Sequence, residues 1–155
     1  MKRLPIVCAL LLGSMGPAAH AQNLLVSSSN NGRVLQYDWP TGALIGTFIP
    51  PGSGGLVQPF GLAYGPNTDL YVCSYDGDAI LEYNGTTGAF VSTFIAAGGT
   101  LDQPTDVIWA PDGTVLVTSL TAGCVLRYSG GGTFLAASPC LGTGGVGTSL
   151  TCTVS

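Results

Sequence analysis

Basic residues are scarce in this chain, and their placement makes them scarcer still. Lys2, Arg3, Arg33 and Arg127 are the only four, and the first two stand ahead of the one long apolar run, residues 4–13. Nucleic-acid binding rests on Lys and Arg neutralising backbone phosphate, so that class is excluded and no nucleic-acid partner is expected. Histidine occurs once, as His20. If the segment that carries it is removed on export, a Ser-His-Asp triad, a Cys-His pair and the common zinc sites lose the imidazole they need. Lysine goes with it, which removes Schiff-base chemistry. The apolar run falls short of the ~20 residues a membrane-spanning helix requires, no later run is longer, and no membrane span is expected. Helical periodicity is also missing after that run.

What is present begins with an export signal. Lys2 and Arg3, the short apolar stretch, and the small-x-small site at Ala19 to Ala21 describe a secretory signal peptide over residues 1–21, cut after Ala21. The expected location is secreted, periplasmic or extracellular. From Gln22 onward two arginines face eight carboxylates, a net charge of −6. Four cysteines follow the cut, Cys73, Cys124, Cys140 and Cys152, an even number that permits disulfides in an oxidising compartment. Cys140 and Cys152, close together in a Gly-rich tail, are a candidate pair. Cys73 occupies a strand position held by Ser27 and Thr118 in neighbouring units, which points to a small buried side chain.

Those units are the main message of the sequence. Residues 23–52 align with residues 69–98 at a shift of 46 without a gap, and twelve of the thirty pairs are identical. Thr41-Gly42-Ala43 matches Thr87-Gly88-Ala89, and Thr47-Phe48-Ile49 matches Thr93-Phe94-Ile95. A third copy follows from Leu101 at a shift of 45. Each unit holds four short apolar runs separated by Gly, Pro, Asn or Asp, the pattern of four antiparallel strands with tight turns. A period near 45 residues with four strands is that of a β-propeller blade, since one such sheet cannot bury both faces alone and blades cover one another.

The expected fold is therefore all-β, with propeller blades over residues 22–137 and a Gly/Thr-rich tail over residues 138–155. With strands labelled a to d outward from the axis, blade two runs through residues 59–64, 70–74, 79–83 and 89–95, and blade three through 105–110, 115–119, 124–128 and 133–137. Blade one starts at strand b, residues 24–28, which leaves about two and three-quarter blades. The pairs Asn31-Gly32, Asp76-Gly77, Asn84-Gly85 and Asp112-Gly113 are expected to supply positive φ at the turns. In the tail, Leu150, Cys152 and Val154 alternate as in one last strand.

The units resemble NHL-type repeats of the six-bladed, TolB-like kind. The carriers are Pro59, Gly61, Leu62 and Ala63 followed by Leu70-Tyr71-Val72, then Pro104, Asp106 and Val107 followed by Val115-Leu116-Val117. Such repeats serve binding proteins and enzymes alike, so the resemblance implies a fold more than a function. The stretch from Gln103 to Ser119 is also similar to the gluconolactonase (SMP-30) family, which implies a metal-dependent lactonase as an alternative. That family's metal-binding Asn and its Thr-Asp are here Thr105 and Thr118-Ser119. Streptogramin lyases use NHL-like propellers as well, with a histidine expected at their site.

A six-bladed ring would need about 270 residues. An open arc leaves apolar faces and strand edges bare, which predicts either a piece of a longer product or copies joined head to tail as a homo-oligomer that closes the ring. Three carboxylates are candidate ligand or metal residues. Asp76 and Asp78 flank Gly77 between strands b and c and would suit calcium, although turn chemistry explains them too. Asp106, on the innermost strand, would face the channel with a perturbed pKa. Gln58 and Gln103 recur before strand a at the channel mouth. Trp39 reads as a loop aromatic with sugar stacking as the alternative, and Trp109 as a blade-core residue. Asn84-Gly85-Thr86 matches a glycosylation sequon, but a turn explains it. The expected function is a binding or interaction module for a protein or carbohydrate ligand, with no cofactor evident beyond calcium. The alternatives are a lactonase-like hydrolase and a lectin-like ring.

Overall fold

A computed structural model of the chain describes residues 23–138. Eleven strands form three antiparallel sheets among these residues. Blade one is β1 (Asn23–Ser28), β2 (Arg33–Asp38) and β3 (Leu44–Ile49). Blade two is β4 (Pro59–Tyr64), β5 (Leu70–Ser74), β6 (Ala79–Tyr83) and β7 (Phe90–Ile95). Blade three is β8 (Pro104–Trp109), β9 (Val115–Ser119), β10 (Cys124–Tyr128) and β11 (Phe134–Ala137). Strands lie side by side in chain order within every sheet. The all-β reading, the strand order and the three-stranded first blade all agree with the repeat. No helix among the described residues is long and apolar enough to cross a membrane.

Alternation along each strand gives a blade two apolar faces, and neighbouring blades bury them. One face of blade two, with Leu62, Leu70, Val72, Leu81 and Tyr83, packs on Leu25, Val34, Phe48 and Ile49 of blade one. Its other face, with Ala63, Tyr71, Cys73, Ile80 and Ile95, packs on Val107, Val115, Val117, Leu126 and Tyr128 of blade three. A side chain of this kind contributes about 1.5–3 kcal/mol when fully buried, so the two joints carry most of the fold's stabilisation.

Serine at the end of strand b ties strand a to its blade. The Ser74 hydroxyl accepts from the Val57 amide at 2.9 Å and donates to the Val57 carbonyl at 3.2 Å. Ser119 does the same for Asp102, at 3.0 and 2.7 Å. The equivalent Ser28 accepts instead from the Asn31 side chain at 2.9 Å.

The turns correct part of the sequence reading. Gly32 and Gly113 do take positive φ, but Gly77 and Gly85 do not; there the left-handed residues are Asp78 (φ 49°) and Gly88 (φ 71°). Gly77 and Gly85 are required for space. A Cβ on Gly85 would lie 2.0 Å from the Thr68 carbonyl oxygen, and one on Gly77 2.4 Å from Ser74 Oγ. Asn84 acts through its side chain, accepting from the amides of Thr86 and Thr87 at 3.1 and 2.9 Å, as the turn reading of the sequon requires.

On the outer part of blade two, Glu82 accepts from Ser92 at 2.6 Å, Tyr71 at 2.8 Å and Asn67 at 3.0 Å. Burial pushes this carboxyl up, but the three donors outweigh it and hold the pKa below the ordinary value. The same burial and the hydrogen bond to Glu82 push the Tyr71 phenol up to about 12. A carboxylate depressed in the folded state contributes stability above its unfolded pKa and loses it as pH falls through the folded one. Glu82→Gln is therefore expected to lower the melting temperature by ~3 °C at pH 7 and by much less at pH 3. Equal losses at both pH values would show that the charge on Glu82 is immaterial.

Candidate functional site

The candidate residues sit on or beside the inner strands β4 and β8, at the end where β4 and β8 begin. Two residues just before those strands, Gln58 (φ 45°) and Gln103 (φ 51°), are left-handed, a conformation side-chain-bearing residues seldom adopt. Their carbonyls accept the amides of Tyr75 and Leu120, both at 3.1 Å, which closes strand a onto the loop after strand b. The recurring Gln positions thus share one backbone closure.

Gln103 does more than Gln58. Its amide donates to Asp78 Oδ1 at 2.8 Å, and its Oε1 accepts the hydroxyls of Tyr75 at 2.9 Å and Thr121 at 2.8 Å. Asp78 and Tyr75 belong to blade two, so a latch of four side chains crosses the joint between blades two and three. Asp78 is committed to that latch, while Asp76 is exposed beside it. The paired-carboxylate reading therefore separates into one positioning residue and one solvent-facing charge. Nothing in the sequence marks Tyr75 and Thr121, because hydroxyls in a turn carry no pattern; the first meets Gln103 across the joint and the second within blade three.

Around the latch lies an open surface. Tyr75 stacks on Phe60 with ring centroids 4.6 Å apart, and Val57 and Leu120 are exposed beside it at 44% and 53%. Gln58, Asp76 and Asp102 add polar groups. Burial, with Asp76 and Asp102 adding negative potential, raises the Tyr75 phenol, so it stays a neutral donor across physiological pH.

Asp106 lies on β8 where blade two has Gly61. The two strands approach so closely that a Cβ on Gly61 would stand 2.7 Å from the Asp106 Cα and 2.8 Å from the Thr105 carbonyl oxygen. The Asp106 side chain is exposed overall. Its carboxyl is nevertheless shielded on one side and is pushed up by that desolvation, partly offset by the Val107 amide donating to Oδ1 at 2.9 Å. Beside it the free thiol of Cys73, wholly buried, is raised by burial and by the Asp106 charge, against a lowering hydrogen bond from the Gly61 backbone. Thr105 and Thr118, where the lactonase resemblance would place a metal-binding Asn and a Thr, share a hydrogen bond of 2.7 Å. Asp76, Asp78 and Asp106 do not converge, and no group of three or more His, Cys, Asp or Glu with metal-ligand geometry occurs among the described residues.

Cys124 is disulfide-bonded to a partner outside the described residues. The Cys140–Cys152 pairing also lies outside them. Trp39 is an exposed loop aromatic, far from latch chemistry in the sequence, and Trp109 packs edge-on to Tyr71 at 5.1 Å.

Three antiparallel blades stacked through repeated joints define part of a β-propeller. Solved structures agree. A catalytically inactive histidine-to-alanine variant of virginiamycin B lyase from Staphylococcus aureus, with quinupristin, is similar at TM-score 0.55 and 14% identity over 77% of this chain and 42% of that one. A streptogramin B lyase is similar at 0.57 and 15% over 78% and 38%. Hydrazine synthase of Kuenenia stuttgartiensis is similar at 0.57 and 18% over 81% and 39%. The chain thus spans about two-fifths of the length of these structures. At such identities the likeness is one of fold. No protein-family model and no curated protein sequence matches the chain.

Proposed function

We propose that this chain is an exported binding module, NHL-like in its repeats, that recognises a protein or carbohydrate ligand with the loops around the Gln103 latch. The supporting observation is the division of labour at that end of the inner strands. Gln103, Asp78, Tyr75 and Thr121 satisfy one another and hold the loops in a strained but fixed geometry, while Val57, Leu120 and Asp76 are left exposed around a half-buried Phe60. Fixed polar groups framing exposed aliphatic side chains suit recognition, because little ordering entropy remains to be lost on binding. The similar virginiamycin B lyase is catalytically inactive as a histidine-to-alanine variant, and residues 23–138 contain no histidine.

The lactonase-like reading rests on one observation, the raised carboxyl of Asp106 on the inner strand β8. Asp106→Asn separates the two. If Asp106 is only structural, its folded pKa lies above its unfolded one, so its charge destabilises the fold above that pKa and the penalty fades as pH falls. Asp106→Asn should then melt a few degrees higher than wild type at pH 7 and equally near pH 3, with calcium and sugar binding unchanged. Thermal shift against calcium, a sugar panel and candidate peptides, together with a lactone-hydrolysis assay, reads the function itself. Stabilisation by a sugar or peptide carries the binding module; calcium-dependent lactone turnover lost in Asp106→Asn would replace it with the enzyme.

A further inference from the structure

The apolar side chains exposed around the latch belong to one continuous piece of surface that crosses the joint between blades two and three. Val57 is held by Ser74, the residue before Tyr75, and the Tyr75 hydroxyl donates to Gln103, whose carbonyl in turn accepts the Leu120 amide. Asp76 follows Tyr75, Asp102 precedes Gln103, and both carboxylates lie near enough to act on the Tyr75 phenol. Neither carboxylate has a hydrogen bond or an ion pair among the described residues. The described basic groups lie elsewhere. Arg127 pairs with Asp112 at 2.6 Å, beside the turn that follows β8 and so at the opposite end of blade three. Arg33 is on blade one, where alternation turns it to the side opposite Val34 and away from blade two. The Gln103 carboxamide adds direction. Its Oε1 takes two hydroxyls, which fixes the plane of the group and leaves its Nε2 hydrogens without an acceptor among the described residues.

Resting on the binding-module reading, we propose that the occupant of this surface is an extended basic peptide. A Lys or Arg side chain lies against the Tyr75 ring between Asp76 and Asp102, apolar neighbours cover Val57 and Leu120, and a peptide carbonyl accepts from Gln103 Nε2. The chemistry of the patch selects this ligand over the others the module could take. Phe60 has the core of the joint on one side and the Tyr75 ring 4.6 Å away, so Tyr75 is the ring left half-exposed, and two carboxylates beside a ring favour a cation over it. Exposed valine and leucine are matched by apolar side chains better than by the hydroxyls of a sugar. An acidic peptide or a phosphate group would meet two like charges with no basic group beside them, which costs affinity. The fixed Gln103 amide then sets the register, because a donor held in place by two hydroxyls has little orientation left to lose.

The test is selection from a random peptide display library on the chain, followed by fluorescence anisotropy of one labelled peptide that is enriched. Enriched sequences should carry Lys or Arg beside Leu, Ile, Val or Phe. The peptide should bind roughly 10-fold or more weakly to Asp76→Lys and several-fold more weakly to Leu120→Ser, whereas Asp112→Asn, at the opposite end, should change its affinity by less than about 2-fold. Raising salt from about 50 to 500 mM should weaken binding to wild type and have much less effect on Asp76→Lys. Asp76, Leu120 and Asp112 are all exposed, so the three variants should melt within a few degrees of wild type and the comparison reads binding. Enriched peptides that are acidic or uncharged, or an affinity indifferent to Asp76→Lys and Leu120→Ser, would overturn the proposal and still leave a peptide-binding module. A neutral sugar that stabilises the chain while no peptide is enriched would overturn it in favour of a carbohydrate ligand. Neither peptide nor sugar binding would remove the binding-module reading along with it.

Discussion

Replacing Gly88 with alanine is expected to cost about 2–5 kcal/mol, whereas the same change at Gly42 should cost only about 1–2 kcal/mol. Both glycines stand in a Thr-Gly-Ala turn, with φ of 71° and 70°. Both donate to the carbonyl four residues earlier, at 2.8 and 2.7 Å. An L-residue in that conformation pays the same local strain at either site. The difference is the neighbour. A Cβ on Gly88 would lie 2.0 Å from the Phe48 carbonyl oxygen and 2.9 Å from its carbon, backbone atoms of a strand that cannot swing aside. Blades one and two must separate or the turn must open, and either loosens the joint built on Phe48, Ile49 and Tyr83. Urea unfolding of the two alanine variants at low protein concentration measures the difference. Equal losses would show that the turn conformation alone matters and that the close approach carries no energy.

That pair of glycines also marks the boundary of what the sequence discloses. The alignment at a shift of 46 is enough to establish the repeat, the four-strand unit and the strand limits to within one residue. It works because the period-2 alternation and the turn residues are local properties, repeated three times. It cannot say which glycine in a turn is needed for φ and which for space. Asp76-Gly77 and Asn84-Gly85 look like left-handed pairs, yet their glycines are there because Ser74 and Thr68 leave no room for a side chain. The candidate site was less legible still. Gln103 was visible by its recurrence, but its partners Tyr75 and Thr121 lie 28 and 18 residues away and meet it only across or within a joint. Asp78 looked like half of a metal pair because spacing puts two carboxylates side by side; the fold turns one onto the Gln103 amide and leaves the other in solvent.

Leu126→Ala is the second large effect, at about 2–5 kcal/mol, because Leu126 is wholly buried between blades two and three and the truncated side chain leaves a cavity among Val107, Val117 and Tyr128. Leu35 occupies the equivalent place in blade one but is half-exposed, so Leu35→Ala should cost below about 1.5 kcal/mol in the isolated chain. Urea unfolding of both variants at the same low protein concentration reads the difference, and equal losses would show that burial between blades two and three adds nothing to what Leu126 contributes.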